Sequence, residues 1–218
     1  MKILNLYACL GGNRYKWNEV KEDIEVTAVE WDEELAKLYQ ERFPNDTVIV
    51  ADAHQYLLEH YKDFDFIWSS PPCPTHSVTN HFLNAQGIER FPDMKLYEEI
   101  IFLDTFFKGK YCIENVIPYY EPLIRANKRG RHLYWTNFNL PNILSYRKAP
   151  PITANKARRK TQHKDLCKFH HIDLSNYKGG QDLGKVARNL VDYEAGKTIL
   201  ETAIGIIKNS KVNQTELF

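Results

Sequence analysis

Phe64-Asp65-Phe66-Ile67-Trp68-Ser69-Ser70-Pro71-Pro72-Cys73-Pro74-Thr75-His76-Ser77 runs from a bulky alternating segment into two prolines and a cysteine. The alternation from Phe64 to Trp68 reads as a short buried strand. Pro71 and Pro72 stop it and fix the backbone. Cys73 then stands where a strand of an open α/β sheet delivers a side chain to a ligand crevice. A lone Pro-Pro-Cys is more often a rigid turn around a small buried thiol, so the flanking segments decide its meaning.

Three strand-like segments precede it. Ile3 to Tyr7 leads into Ala8-Cys9-Leu10-Gly11-Gly12, a tight turn whose glycines let backbone approach a ligand. Ile24 to Glu30 ends on a carboxylate that can accept hydrogen bonds from ribose hydroxyls, and Trp31 beside it can stack on a flat ring. Asp32 to Phe43 is a helix, with acids in its first turn and apolar residues at Leu35, Leu38 and Phe43. Thr47 to Val50 is the third strand. Asp52 follows as a helix cap for His54 to Tyr61.

Downstream, the stretch from Pro74 to Pro92 is long and irregular, as functional loops often are. Met94 to Phe107 reads as a helix. Lys110 to Ile113 is a strand that leads into Glu114-Asn115-Val116, with Pro118 as a stop. Arg129-Gly130-Arg131 precedes an aromatic strand, His132 to Phe138. Alternation on one strand face would point both guanidiniums the same way, suiting a phosphate or carboxylate. The stretch 140–184 breaks the pattern. It is interrupted by Pro141, Pro150 and Pro151 and carries Lys156, Arg158, Arg159, Lys160, Lys164 and Lys168, so it reads as a small irregular insert that touches nucleic acid. His163, Cys167, His170 and His171 crowd there in a spacing that is not standard for zinc, and no metal is expected. Order returns from Lys185, with Asn189 ahead of an amphipathic helix, Tyr193 to Ile207; the tail from Asn209 reads as frayed.

Composition bounds the rest. The 218 residues suit one domain of ordinary size with a small insert, and 43% hydrophobic residues permit a real core. A formal net charge of +1 gives no global basic field, so any polyanion must be held by local patches. The 4 cysteines lack paired spacing and read as reduced thiols, placing the protein in the cytoplasm. No leader and no membrane span are expected.

In this order, the Gly-Gly turn, Glu30, Pro-Pro-Cys, Glu-Asn-Val and Arg-x-Arg resemble the motif series of the DNA (cytosine-5) methyltransferase family. The resemblance covers residue 3 to about 139, and about 185 to 207. It implies a Rossmann-like α/β fold, with a mixed, mostly parallel sheet and helices on both faces. Residues 1–139 and 185–218 would form the catalytic domain, and 140–184 a small target-recognition region. The implied cofactor is S-adenosylmethionine, bound by Tyr7, Gly11, Gly12, Glu30, Trp31, Asp52, Ala53, Pro71 and Asn189. The implied partner is double-stranded DNA, with a monomer the expected form, in the cytoplasm of its own cell or of a phage host. The family's pattern is departed from at Asn5, Tyr7, Cys9, Arg188 and Asp192-Tyr193.

The resemblance also assigns roles. Cys73 would add to C6 of cytosine, Glu114 would hold the N3 and amino edge and supply a proton, and Asn115 would fix the backbone. Arg129 and Arg131 would bind phosphate and stabilise the thiolate. The base must leave the stack for this. The small insert implies a short recognition site or relaxed specificity. Three other readings stay open: the same chemistry on tRNA, a non-catalytic DNA-binding relative, and a Rossmann-like enzyme acting on a free pyrimidine nucleotide.

Overall fold

The computed structural model describes residues 1–142, 144, 147–150 and 156–207, apart from the side chains of 156–161. Seven strands form one sheet: β1 (Lys2–Leu6), β2 (Glu25–Glu30), β3 (Thr47–Val50), β4 (Phe66–Ser69), β5 (Lys110–Val116), β6 (Asn127–Arg129) and β7 (His132–Thr136). Their order is β3-β2-β1-β4-β5-β7-β6. The first five run parallel, and β7 lies antiparallel to both β5 and β6. The expected mixed, mostly parallel α/β sheet is therefore observed.

Alternation along the strands feeds two cores. Leu4 and Leu6 of β1 join Ile67, Leu57 and Leu103 on one face; Ile3 joins Trp17, Phe66, Trp68 and Tyr134 on the other. Helices α3 (Ala53–His60) and α5 (Lys95–Phe106) cover the first face. Short α1 (Trp17–Val20) and α8 (Tyr193–Ala203) cover the second, and α2 (Glu33–Arg42) packs beside β2 and β3. Asp52 caps α3 as the sequence reading expects, accepting from Gln55 N, and Asp32 caps α2 rather than lying in its first turn, accepting from Glu34 N and Leu35 N.

Chain order places the site. From β1 the chain builds outward through β2 and β3, then returns to lay β4 on the other side of β1. The carboxyl ends of β1 and β4 thus flank the switch point where an open α/β sheet leaves a crevice. Tyr7 follows β1 and Ser70-Pro71-Pro72-Cys73 follows β4.

Three features differ from the sequence reading. Glu114 and Asn115 lie inside β5, because its pairing with β7 continues to Val116↔His132. Arg129 and Arg131 do not alternate on one strand: Arg129 ends β6, Gly130 turns at φ 59, and Arg131 sits in that turn before β7. Residues 156–170 are not irregular but form α6 (Lys156–His170), a run with no Gly or Pro after the prolines at 150 and 151. Two short helices complete the order, α4 (Asn80–Asn84) in the stretch after Cys73 and α7 (Leu183–Arg188) before Asn189.

The described residues of the segment after 139 pack against the rest of the chain. Leu140 and Leu144 enter the core of Trp17 and Tyr134, while Leu166 and Leu174 pack with Leu10, Leu35 and Val186. Arg42 donates to Leu10 O (2.7 Å) and His170 O (3.0 Å), and Tyr177 and Gln181 both donate to Asp32 Oδ2. The side chains of Arg158, Arg159 and their basic neighbours up to 161, and the tail from 208, lie outside the described residues. Among the described residues, no helix is long and apolar enough to cross a membrane, and no group of three His, Cys, Asp or Glu is placed to hold a metal.

Candidate active site

A two-lobed cleft opens at the switch point. Its smaller lobe, about 150 Å³, lies between Trp31, Asp52, Ala53, Pro71 and Leu96. The larger, about 300 Å³, holds Cys9, Glu30, Cys73, Glu114, His132, Lys185 and Asn189. Tyr7, Trp31, Pro71 and Pro72 line both lobes, so the two adjoin.

The turn after β1 is built under strain. Tyr7 (φ 55) and Cys9 (φ 46) occupy the left-handed region beside Gly11 (φ 64), at a cost of about 1–3 kcal/mol for each non-glycine residue. Hydrogen bonds hold both in place. Tyr7 Oη donates to Glu99 Oε1 (2.6 Å), and Cys9 N donates to Glu30 Oε2 (2.8 Å). Glu99 is fully buried, and it also accepts from Ser69 Oγ (2.6 Å), tying the ends of β1 and β4 to α5. Asn5, where the family pattern has an acid, points into the core and accepts from Asn13 Nδ2 (2.8 Å). It thus serves the fold of the turn and not the cleft.

The turn and the segment at 189–191 are in direct contact. A Cβ on Gly12 would come 2.5 Å from Val191 O, a backbone atom that cannot swing away. Gly12→Ala should therefore lower stability by about 1–3 kcal/mol, the scale of overpacking, and weaken S-adenosylhomocysteine binding. Chemical denaturation and calorimetric titration check both. A variant as stable as the parent would show that this approach is not tight.

Glu30 is well placed for a ribose. Burial pushes its carboxyl up, while the N–H groups of Asp32 and Cys9 pull it back. Trp31 is 64% exposed, an aromatic face left open across from Pro71, Ala53 and Leu96. Such an apolar slot fits a flat purine. Asp52 both caps α3 and lines this lobe, and Lys95 Nζ lies 3.9 Å from its Oδ2. An apolar slot, a carboxylate at a strand end and a strained backbone turn fit an adenosyl group.

The larger lobe carries the reactive groups. Asn115 Nδ2 donates to Pro71 O (3.0 Å), locking the Pro-Pro-Cys turn onto β5. Its Oδ1 accepts from Val116 N. Cys73 and Glu114 face the same space. Burial first, then the Glu114 carboxylate, pushes the Cys73 thiol up; Lys185 pulls it down. Cys9, the other thiol of the cleft, is pushed up to about 12 by burial and by Glu30, so it stays protonated. Cys112 is fully buried, and burial and then Glu114 push its thiol up as well. Cys73 shares the larger lobe with Lys185, whose charge favours its thiolate.

The two arginines stand elsewhere. Arg129 donates through Nε to Pro141 O (2.6 Å) and through Nη1 to Lys128 O (2.9 Å). Arg131 is exposed in the turn, and neither lines the cleft. The cation that faces Cys73 is Lys185, which the sequence reading passed over, as it did His132. Lys185 lies four residues before Asn189, a spacing that puts the two on one helix face. Tertiary packing alone brings that face across the cleft from Cys73.

The stretch after Cys73 is also anchored. Tyr119 N donates to His76 O (3.0 Å), Asn80 Nδ2 to Pro74 O (2.9 Å), and Tyr119 Oη to Arg90 O (2.8 Å). Phe82 and Phe91 stand 73% and 77% exposed on it.

Comparison with known proteins gives a consistent picture. The model of the C-5 cytosine-specific DNA methylase family matches residues 1–116, which end with β5 and include the Pro-Pro-Cys turn and Glu114. A methyltransferase of Entamoeba histolytica, EhMeth, shares the fold at a TM-score of 0.55 and 12% identity, over 96% of this chain and 99% of that one. A mutant of DNMT2 from Spodoptera frugiperda superposes at a TM-score of 0.42 and 20% identity, over 71% of this chain and 55% of that one. No curated protein matches the sequence.

Proposed function

Because the chain belongs to the C-5 cytosine-specific DNA methylase family, whose methyl donor is S-adenosylmethionine, we propose that it methylates C5 of cytosine in double-stranded DNA through a covalent adduct between Cys73 and C6. The observation that carries this reading is the cleft itself. The thiol of Cys73 and the carboxyl of Glu114 share one lobe, and that lobe adjoins the apolar slot of Trp31 and Ala53.

C5 of cytosine is too weak a nucleophile to take a methyl group unaided. The Cys73 thiolate attacks C6, forming the S–C6 bond and displacing the C5=C6 electron pair. Glu114 delivers a proton to N3, so the pair is held as an enamine with its nucleophilic carbon at C5. S-adenosylmethionine, when bound, supplies the methyl group as an electrophilic carbon. A base then removes the C5 proton, the C5=C6 bond re-forms and Cys73 leaves. Asn115 keeps the thiol in register throughout by holding Pro71 O.

A base inside a duplex cannot present C6 to a half-buried thiol in a cleft, so the nucleotide is flipped out, at a cost of a few kcal/mol. Exposed Phe82 and Phe91 on the stretch that follows Cys73 support a nucleic-acid face there, since aromatic side chains stack on unpaired bases. With Arg129 held by carbonyls, Lys185 takes the electrostatic role at Cys73. Lys185→Gln should raise the thiol pKa further and slow alkylation of Cys73 by iodoacetamide at neutral pH, followed by mass spectrometry of the Cys73 peptide. Equal alkylation rates would remove Lys185 from that role.

The test of the substrate is methyl incorporation from labelled S-adenosylmethionine into duplex DNA and into tRNA, side by side. Label in DNA cytosine supports the proposal. Label in tRNA alone would transfer the same chemistry to RNA. No label in either would favour a non-catalytic binding protein.

A further inference from the structure

Glu114 has a neighbour that the scheme above leaves idle. His132 opens β7, and the pairing of β7 with β5 sets His132 opposite Val116 and Tyr134 opposite Glu114. Residues two apart on a strand share a face, so His132 is the diagonal neighbour of Glu114. Its Nε2 lies 3.6 Å from Glu114 Oε1, and both side chains line the larger lobe with Cys73. Glu114 is buried, whereas His132 is partly open to solvent. Other ionisable groups border the pair. Lys185 and Arg188 of α7 line the same lobe, the Tyr134 ring lies edge-on to His132 at 6.4 Å, and Arg129 pairs with His132 across the hairpin.

The scheme creates a need that this pair meets. An ordinary carboxyl is ionised at neutral pH, yet the adduct requires a proton at N3. Histidine is the side chain whose ordinary titration spans neutrality. We propose that His132 is the proton-exchange partner of Glu114, carrying protons between solvent and the buried carboxyl. This inference rests on the reading that Cys73 and Glu114 act on a cytosine. As the S–C6 bond forms, the imidazolium of His132 passes its Nε2 proton to Glu114, and Glu114 passes one to N3. His132 is left neutral. When the adduct collapses, N3 returns the proton to Glu114, and His132 takes it back to water. His132 acts through Glu114 and is a positioning and relay residue, not one that touches the base.

The experiment compares kcat against pH for the parent protein, His132→Gln and His132→Lys on duplex DNA, with S-adenosylhomocysteine affinity as a control for folding. The parent profile has an alkaline limb where the proton for N3 is no longer supplied. In His132→Gln that limb moves towards acid and kcat near neutral pH falls by about tenfold or more, a fraction of what a general acid contributes. His132→Lys keeps a charge but cannot exchange its proton near neutrality, and falls likewise. Profiles that superimpose on the parent, or a lysine variant that keeps the parent rate, would overturn the relay. A parent that methylates no cytosine overturns the underlying reading as well, and is thereby distinguished. If the variants lose cofactor affinity, single turnovers at saturating S-adenosylmethionine decide: adding His132→Gln to Glu114→Gln should cost no further rate, and a further loss as large as in the parent background would overturn the relay.

Discussion

Cys73→Ala should abolish methyl transfer, a loss on the order of 10⁴-fold or more, as removal of a covalent nucleophile does. Binding of S-adenosylhomocysteine should be unchanged. The two outcomes separate because the cleft has two lobes. The slot formed by Trp31, Asp52, Ala53 and Leu96 does not contain Cys73, and the turn after β1 is held by Glu99, Glu30 and Val191 without its help. No other thiol can take over. Cys9 lies in the larger lobe, but burial and Glu30 keep it protonated, and Cys112 is inside the sheet. Single-turnover methyl transfer and calorimetric titration of the variant measure both quantities. Residual transfer within tenfold of the parent would remove the covalent mechanism.

Glu114→Gln should show two effects of opposite sign. Turnover should fall by about 10²–10⁴-fold, the range of a positioned general acid. At the same time, Cys73 in the free protein should become easier to alkylate at neutral pH. Burial is the largest influence holding the thiol protonated, and the Glu114 carboxylate is the next. Glutamine keeps the shape and removes the charge, so the folded thiol pKa drops and the thiolate fraction rises. A site whose thiol is more reactive yet whose turnover has collapsed is the signature of a carboxyl needed for the base and not for the thiol. If Glu114 only shaped the pocket, alkylation would not accelerate. The same arrangement explains how reactivity is restrained. In the free protein, the carboxylate beside Cys73 suppresses the thiolate.

Much of this was legible in the chain. Bulky alternation before Pro71, strand-end acids and the Asp52 helix cap follow from local physics, and they yield the strands whose ends form the cleft. Local physics also brings Glu30, Trp31, Asp52 and Cys73 to one edge, because each sits at the carboxyl end of a parallel strand or just beyond it. What was not legible depends on contacts between distant segments. Arg129 reads as a ligand-facing residue until the carbonyls of Leu140 and Pro141 come near its guanidinium. Gly130 in the left-handed region turns an apparent alternation into a hairpin. His132 meets Glu114 through the register of an antiparallel pair, and Lys185 meets Cys73 through the docking of α7. The basic run of 156–170 reads as irregular because three prolines precede it, although its own residues favour a helix.

The most direct measurement incubates the protein with S-adenosylmethionine and duplex DNA in which cytosine is replaced by 5-fluorocytosine. Fluorine at C5 cannot depart as a proton does, so methyl transfer proceeds but the adduct cannot collapse. The account predicts a stable protein–DNA complex that requires S-adenosylmethionine, is linked through Cys73, and is absent in Cys73→Ala. A parent protein that methylates ordinary duplex DNA at cytosine yet leaves no such complex would contradict the covalent mechanism.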